Sequence, residues 1–287
     1  MKIIPHRHRK TYHQFLKSAL GKQIPIELLP RRIRILGHVA ILWLDSKIVD
    51  YKEQIGEITL EYSPKIQSVL RRTDAIAGPF RQPGVELIAG SPETETVFKE
   101  NQVIFCLDPM KVMFSIGNKT ERLRMSKLGT KEFVVDMFAG VGQLSLPMAV
   151  HAKPAIIHAI EWNPDAFYYL KRNIQVNKVS EIIKPHFGDT RLITPQLGQR
   201  KADRVIMGLI QGTDLYLKEG IQCVRPGGMM HIHEIGPKGD MENELLHKLE
   251  TMCSSMSRNI ELMESRLVKT YNPRYNHFVL DVQVNGS

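Results

Sequence analysis

Residues 133–142 read Phe133-Val134-Val135-Asp136-Met137-Phe138-Ala139-Gly140-Val141-Gly142, and this stretch decides the fold. Its first half is an apolar, β-branched run, the pattern of a buried strand. Its second half is a glycine turn, and residues 144–151 beyond it read as a helix. A strand that enters a glycine turn and then a helix brings backbone close to a ligand at the carboxyl end of the strand, where doubly wound sheets bind nucleotides. Glu161 ends the second predicted strand about 20 residues later, where an acidic side chain accepts hydrogen bonds from ribose hydroxyls. Asp189, in Phe187-Gly188-Asp189-Thr190, follows the third strand and is placed to meet an adenine edge. Residues 143–145 offer no third glycine, so the full GxGxxG fingerprint is absent and an adenosine-type ligand without a pyrophosphate is expected.

Downstream the alternation continues. Strands expected at 155–161, 182–187, 202–209 and 229–233 alternate with helices at 164–177, capped by Asn163, and at 214–224 and 242–256. That order implies a parallel sheet with helices on both faces. Two last strands, 260–268 and 277–284, close the chain as an antiparallel pair, an ending unusual for a dinucleotide-binding dehydrogenase. Upstream the pattern is less regular. Residues 33–44 and 58–62 read as strands, and 63–70 as a helix with Ser63 as cap and Pro64 at its first position. Short strands follow at 85–89, 94–98 and 103–107. The expected organisation is a basic arm over 1–35, a small α/β domain over 36–110, a connecting segment over 111–130 that is too charged to be core, and a larger domain over 131–287.

The 287 residues are 43% hydrophobic and 24% charged, which excludes collagen-like, low-complexity and wholly disordered classes. No apolar run is long enough to span a membrane. The first ten residues are basic with no apolar segment behind them, so no secretory signal is expected. Cys106, Cys223 and Cys253 show neither disulfide pairing nor a zinc pattern, and a cytoplasmic location fits them. The net charge of +9 is uneven: residues 1–35 hold nine Lys and Arg against Glu27 alone. With His6, His8, Tyr12 and His13 interleaved, this arm reads either as a nucleic-acid contact or as a solvated terminus. His231 and His233 lie two apart on one strand face and would make half a metal site, but no third ligand has a recognisable spacing, so no metal is expected. Residues 269–277, with Tyr271, Tyr275 and Arg274, read equally as an RNA-facing loop or a plain hairpin connection.

Residues 133–189 resemble the class I S-adenosylmethionine-dependent transferases, a Rossmann-like fold with a mostly parallel seven-stranded sheet. The chain from about Gly37 to Val284 resembles the archaeal and eukaryotic family acting at the purine beside the tRNA anticodon. The stretches that carry this are Arg81, Val85–Gly90, Thr94-Glu95-Thr96, Lys99-Glu100-Asn101, Asp108, Lys111–Gly117, Glu121-Arg122, Arg124-Met125 and Asp136–Gly142. The family has two branches, the tRNA guanine-37 N1-methyltransferases and the wybutosine-synthesising aminocarboxypropyltransferases. In the methyltransferase branch the fourth strand ends in Asn-Leu-Pro; here the stretch is Gly208-Leu209-Ile210. Glycine at that place, and His231-Ile232-His233-Glu234 after the fifth strand, are similar to the aminocarboxypropyltransferase branch.

The resemblance implies S-adenosyl-L-methionine as group donor and tRNA as partner; no membrane contact and a monomeric state are expected beside it. It implies transfer of the 3-amino-3-carboxypropyl group to C7 of 4-demethylwyosine at position 37 of tRNA(Phe), with guanosine-37 N1-methylation as the alternative; a non-catalytic tRNA-binding module is the reading from a different class, and Gly140, Gly142, Glu161 and Asp189 weigh against it. Ser115 and Arg122 are expected at the amino-acid end of the donor, Arg122 on its carboxylate. Phe138, Ala139, Gly140 and Gly142 would line the donor, with Glu161 and Trp162 at the ribose, Asp189 and Thr190 at the adenine, and Gly208 at the fourth strand's end. No general base is obvious, and Asp203 and Glu234, near strand ends, are assigned no catalytic role.

Overall fold

The structure of the chain, a computed structural model, describes residues 10–73, 78, 80–199, 201–239 and 241–286. Two units divide it, residues 1–98 with 106–112, and residues 99–105 with 113–287.

In the first unit Thr11 caps helix α1 (Tyr12–Leu20) by a reciprocal pair of bonds: its hydroxyl accepts from the Gln14 N–H, and the Gln14 side chain accepts from the Thr11 N–H. Tyr12, Leu16 and Leu20 recur every four residues and enter one core with Ala40, Ile55 and Val69. Residues 10–35 therefore differ from the expected arm. Lys17 and Lys22 stay in solvent while the apolar stripe between them packs, and the remainder of that arm, residues 1–9, lies outside the described residues.

Strands β1 (Arg34–Leu36), β2 (Val39–Leu42), β3 (Ser68–Arg72) and β4 (Val85–Gly90) form a sheet in that order. The single strand expected over 33–44 is a hairpin, because Gly37 turns at φ +55°, where an added Cβ would sit 2.0 Å from Thr96 Oγ1. Residues 58–62 are helical, not extended: they end α2 (Lys52–Tyr62), whose buried face carries Ile55 and Thr59. Ser63 is extended at the end of that helix, so the Ser-Pro pair expected to start a helix stops one. The strands β5 (Thr96–Glu100) and β6 (Val103–Leu107) form a separate two-stranded sheet.

The second unit holds α3 (Lys119–Met125) and seven strands: β7 (Phe133–Asp136), β8 (Ile156–Glu161), β9 (Ile183–Phe187), β10 (Ala202–Met207), β11 (Val224–Pro237), β12 (Asn259–Thr270) and β13 (Tyr275–Asn285). Their order is β12-β13-β11-β10-β7-β8-β9. β7 to β11 pair in parallel, and β13 runs antiparallel between β11 and β12. This is the α/β class expected, including its antiparallel close. β11 runs longer than expected because Gly228–Pro237 pairs with β13 along its length. The helices are α4 (Ser145–Pro147), continued by a π-turn to Ala152, α5 (Pro164–Val176), α6 (Thr190–Ile193), α7 (Leu217–Cys223) and α8 (Met241–Ser255). Val135, Met137, Val205, Met207, Ile232 and Leu280 share the core. Strand order reverses between β7 and β10, so their carboxyl ends open the crevice where this architecture takes ligands.

Part of the segment expected to be too charged for a core is core. Glu121, Arg122 and Met125 of α3 are buried, because each charge meets a partner. No helix among the described residues is long and apolar enough to cross a membrane.

Candidate active site

Asp136 ends β7 fully buried, and burial raises its carboxyl to about 6. Its Oδ2 accepts from the Ser145 hydroxyl and its Oδ1 from the Phe138 N–H at 3.3 Å, so the strand end and the start of α4 pin the loop between them. Within that loop two glycines serve different needs. Gly142 (φ +90°) is a packing glycine, since a Cβ there would lie 2.7 Å from Leu146 Cδ1 and 3.2 Å from Leu170 Cδ1. Gly140 (φ +56°) faces space, its nearest neighbour to an added Cβ being Gln143 Nε2 at 3.7 Å. The loop thus offers a ligand its backbone, as an adenosine cradle requires.

Glu161 closes the other side. Its Oε2 accepts from the Gly140 N–H at 2.7 Å and its Oε1 from the Asn163 N–H at 2.8 Å. Burial raises this carboxyl, and those backbone bonds pull it back. The Trp162 N–H bonds the same carboxylate, so three of its four acceptor sites are taken; the side chain is fixed in place with one site left for a ribose hydroxyl. Trp162 stands beside it, 39% exposed. The Gly188 N–H donates to the Glu161 carbonyl at 3.0 Å, which brings the β9 end to the β8 end. Asp189 there caps α6 by accepting from the Arg191 N–H at 2.9 Å. Hydrogen bonds from the Arg191 side chain hold the Asp189 carboxyl below the usual range, so an adenine amine would share this carboxylate with Arg191. Thr190 is buried, with its hydroxyl 2.9 Å from Thr194 Oγ1.

Gly208 follows β10. A Cβ added there would meet Leu144 Cδ1 at 3.5 Å and Phe138 O at 3.7 Å, ordinary contacts, with no positive φ. Neither backbone nor packing demands glycine, and its position beside Phe138 puts it at the glycine loop. Glu234 shapes the turn that follows, accepting from the Gln211 N–H at 2.8 Å and the Thr213 N–H at 3.2 Å. Asp203 lies at the opposite, amino-terminal end of the sheet, taken by the Phe133 N–H and Arg225.

Ser115 hangs on this loop: its N–H donates to Gln143 Oε1 at 2.8 Å, and Gln143 Nε2 reaches the Met113 carbonyl at 3.3 Å. Arg122 Nη1 donates to the Ser115 carbonyl at 2.8 Å. The direct pairing expected between Arg122 and a donor carboxylate needs revision. Its Nε and Nη2 already form a two-pronged pair with Glu100 at 2.7 and 3.1 Å, its guanidinium lies 4.6 Å from the Phe114 ring centre, and its side chain is 2% exposed. Arg122 positions Ser115, its charge matched by Glu100. A cation the sequence did not single out for the site, Lys269, donates to Ser115 Oγ at 2.9 Å. Gln143, the residue after Gly142, was also missed. Residues 271–274 make the turn of the β12–β13 hairpin.

His231 and His233 share one side of β11, as their spacing predicts. His231 Nδ1 lies 2.6 Å from Asp281 Oδ1, and its Nε2 meets Arg204; His233 Nδ1 lies 3.1 Å from His277 Nε2. No group of three or more His, Cys, Asp and Glu among the described residues could hold a metal ion.

Two family descriptions match the chain: "TRM5/TYW2 methyltransferase domain" over residues 96–262 and "TYW2 N-terminal domain" over residues 16–94. The chain is 35% identical over 273 residues to the tRNA(Phe) (4-demethylwyosine(37)-C(7)) aminocarboxypropyltransferase of Pyrococcus horikoshii, covering 94% of this chain and 96% of that one. It is 34% identical over 266 residues to the tRNA (guanine(37)-N(1))-methyltransferase Trm5b of Pyrococcus abyssi, covering 91% and 78%. The solved structure of P. horikoshii TYW2 in complex with MeSAdo superposes with a TM-score of 0.82 at 33% identity, covering 96% of this chain and all of that one.

Proposed function

The chain belongs to the TRM5/TYW2 family of S-adenosylmethionine-dependent tRNA-modifying transferases, and on that premise we propose that it transfers the 3-amino-3-carboxypropyl group to C7 of 4-demethylwyosine at position 37 of tRNA(Phe). Identity to the two branches is nearly equal, 35% and 34%, so the choice rests on particular residues. The observation that carries it is Gly208, a glycine that nothing in the packing requires, set beside Phe138 where the methyltransferase branch carries asparagine. A bound sulfonium supplies three electrophilic carbons: attack on the γ-carbon breaks its C–S bond and releases methylthioadenosine with the electron pair, attack on the methyl releases S-adenosylhomocysteine, and in either case the acceptor atom of the base gives up its proton to solvent.

The residues present fit such a donor. Gly140 leaves the space a Cβ would fill, and Glu161 is locked by the Gly140, Trp162 and Asn163 N–H groups with one acceptor site left for a ligand. In this reading Glu161 holds the ribose, Asp189 and Thr190 the adenine, and Ser115 the amino-acid end. Without a side-chain amide at Gly208, the methionine portion settles in a pose that presents its γ-carbon to the base; such near-attack positioning is worth several kcal/mol, on the order of a hundredfold or more in rate. The acceptor carbon is electron-rich, so positioning and local field carry most of the catalysis.

Mass spectrometry of the small-molecule product tests this. Incubated with S-adenosylmethionine and tRNA carrying 4-demethylwyosine, the protein is expected to release methylthioadenosine with a matching mass gain on the tRNA. S-adenosylhomocysteine formed with unmodified transcript would instead make it a guanosine-37 methyltransferase.

The tRNA reading makes a second prediction. Residues 1–35 cannot be trimmed as a block, since Tyr12, Leu16 and Leu20 are core. Deleting residues 1–9 removes Lys2, Arg7 and Arg9. It is expected to lower the magnitude of the slope of log affinity for tRNA against log salt by up to about 2–3, at ~0.7–0.9 per phosphate contact. An unchanged slope would return those charges to solvent. We take the enzyme to act as a monomer in the cytoplasm; three free, buried cysteines fit a reducing compartment.

A further inference from the structure

The tip of the β12–β13 hairpin overhangs the end of β10. β11 makes its last pair with β10 at Ile232 and runs on to Pro237 with β13 as partner. Residues 233–237 therefore project about 17 Å, at ~3.3 Å per residue, on the side of the sheet where Gly208 and the glycine loop lie. The turn at the tip is held firmly. Asn272 Oδ1 accepts from the Arg274 and Tyr275 N–H groups at 2.9 and 2.8 Å, Pro273 fixes the backbone between, and the Lys238 N–H donates to the Arg274 carbonyl at 3.1 Å. Tyr271 and Tyr275 stand opposite each other, the Tyr271 N–H donating to the Tyr275 carbonyl at 2.9 Å, and each side chain is 41% exposed. Neither ring stacks on another among the described residues, and Arg274 and Lys238 beside them are exposed and form no ion pair there. From Ser265 to Leu280 the chain carries Arg266, Lys269 and Arg274 and no Asp or Glu. Opposite residues of an antiparallel ladder share a face, so the tyrosines lie on the face of the Lys269–His277 pair, two residues farther out. Lys269 donates to Ser115 Oγ at 2.9 Å, which sets the tyrosines about 7 Å along the hairpin from the amino-acid end of the donor site.

We propose that this tip holds the tRNA nucleotides on either side of position 37, with Tyr271 and Tyr275 stacking on their bases and Arg274 meeting a phosphate between them. This deepens the reading of the chain as an enzyme acting on the base at position 37 and rests on it. A base that reacts in a crevice leaves its stack and uncovers the apolar faces of its neighbours. Exposed aromatic rings cover such faces with little regard to sequence, and a guanidinium without a carboxylate partner suits the phosphate that joins them. The firm turn matters as much as the residue types. Rings already held in place lose little freedom on binding, so a hairpin that overhangs the crevice keeps the strand open while the target base enters beside Gly208.

The test titrates the full chain with an anticodon stem–loop RNA carrying the fluorescent base 2-aminopurine at position 36 or 38, and separately with S-adenosylmethionine. The double variant Tyr271→Ala/Tyr275→Ala is expected to bind the RNA about 10- to 100-fold more weakly, the range for a lost base–aromatic stack. At saturating protein its complex should be brighter than that of wild type, since stacking quenches 2-aminopurine. Its affinity for S-adenosylmethionine should stay within about threefold, which reports an intact donor site. Tyr271→Phe/Tyr275→Phe keeps both rings and should bind RNA within about threefold of wild type. Arg274→Ala should lower the magnitude of the salt slope by about 0.7, the value for one phosphate on a single strand, whereas the alanine pair should leave that slope unchanged. Wild-type RNA affinity in the alanine pair, or equal brightness of the two complexes, would overturn the contact. Joint loss of RNA and S-adenosylmethionine binding would make the tip a structural element and overturn it as well. A wild-type chain that binds S-adenosylmethionine but not the stem–loop would overturn the position-37 reading itself.

Discussion

Replacing Asp281 by alanine is expected to destabilise the second unit by about 3–5 kcal/mol, the range for removing one partner from a buried ion pair. Asp281 is 6% exposed, and both its oxygens are committed: Oδ1 to His231 Nδ1 at 2.6 Å, Oδ2 to Arg124 Nη1 at 2.7 Å. Arg266 Nη1 stands 4.0 Å away. Arg124 also bonds both oxygens of Glu121, and His231 passes the chain on to Arg204, which holds Glu132 at 2.6 and 3.0 Å. Three guanidiniums therefore share four carboxylates, Asp281, Glu121, Glu132 and, through Arg266, Glu264, across α3, β10, β11, β12 and β13. Removing Asp281 leaves Arg124 with Glu121 alone and Arg266 with Glu121 and the more exposed Glu264, and it orphans His231 Nδ1, which is the costly outcome in a dry interior. At about 2–4 °C per kcal/mol for a unit of this size, melting should fall by roughly 10 °C. Asp281→Asn, which keeps the shape, should cost less. A loss below about 1 kcal/mol would mean that water already compensates these charges.

The same cluster sets the response to acid. Burial alone would raise the Asp281 carboxyl, but His231, Arg124 and Arg266 more than offset that and hold it below the usual range. A depressed carboxyl contributes stability that is complete above its unfolded value of about 4 and fades as pH falls toward the folded one. The imidazoles act earlier. Burial lowers His231, His233 and His277, the last two to about 3, so the unfolded chain takes up protons from about pH 6.5 downward while the folded chain does not. Stability is expected to decline from near pH 6.5, and the difference between wild type and Asp281→Ala to stay level until about pH 4 and then shrink.

What was legible in the sequence is what is local. The run into Gly140 and Gly142, the acid closing β8 and the Asn163 cap each depend on neighbours within a few residues, and each appears where its pattern predicts. The errors have one physical origin. Ile58 and Thr59 favour strands by branching, but burial of Ile55 and Thr59 one turn apart decided for a helix. Residues 119–125 looked too charged for a core because the partners that make burial tolerable, Glu100 for Arg122 and Asp281 for Arg124, lie 22 and 157 residues away. No spacing rule reports such a pairing, and the same holds for Lys269 and Ser115. The site's backbone cradle is written locally; its charges are assembled by the sheet.

Gly208→Asn is expected to change the product, and by the largest factor of any substitution in the site. The space is there, since an added Cβ meets Leu144 Cδ1 at 3.5 Å and Phe138 O at 3.7 Å and the backbone is unstrained, so the variant should melt within a degree or two of wild type. The new amide would stand beside the Phe138 carbonyl, able to hydrogen-bond the methionine portion and hold the methyl rather than the γ-carbon toward the base. A displacement of about 1 Å from near-attack geometry costs on the order of a hundredfold, so methylthioadenosine release should fall by at least ~10-fold. S-adenosylhomocysteine should rise above its wild-type level in the same assay. Gly208→Ala, which adds bulk without a donor, separates the two contributions: it should slow aminocarboxypropyl transfer modestly and form no methylated tRNA. If Gly208→Asn binds S-adenosylmethionine as wild type does and releases methylthioadenosine at the wild-type rate, glycine at the β10 end is not what selects the carbon. The selection would then lie with other groups around the donor's amino-acid end, Ser115 among them.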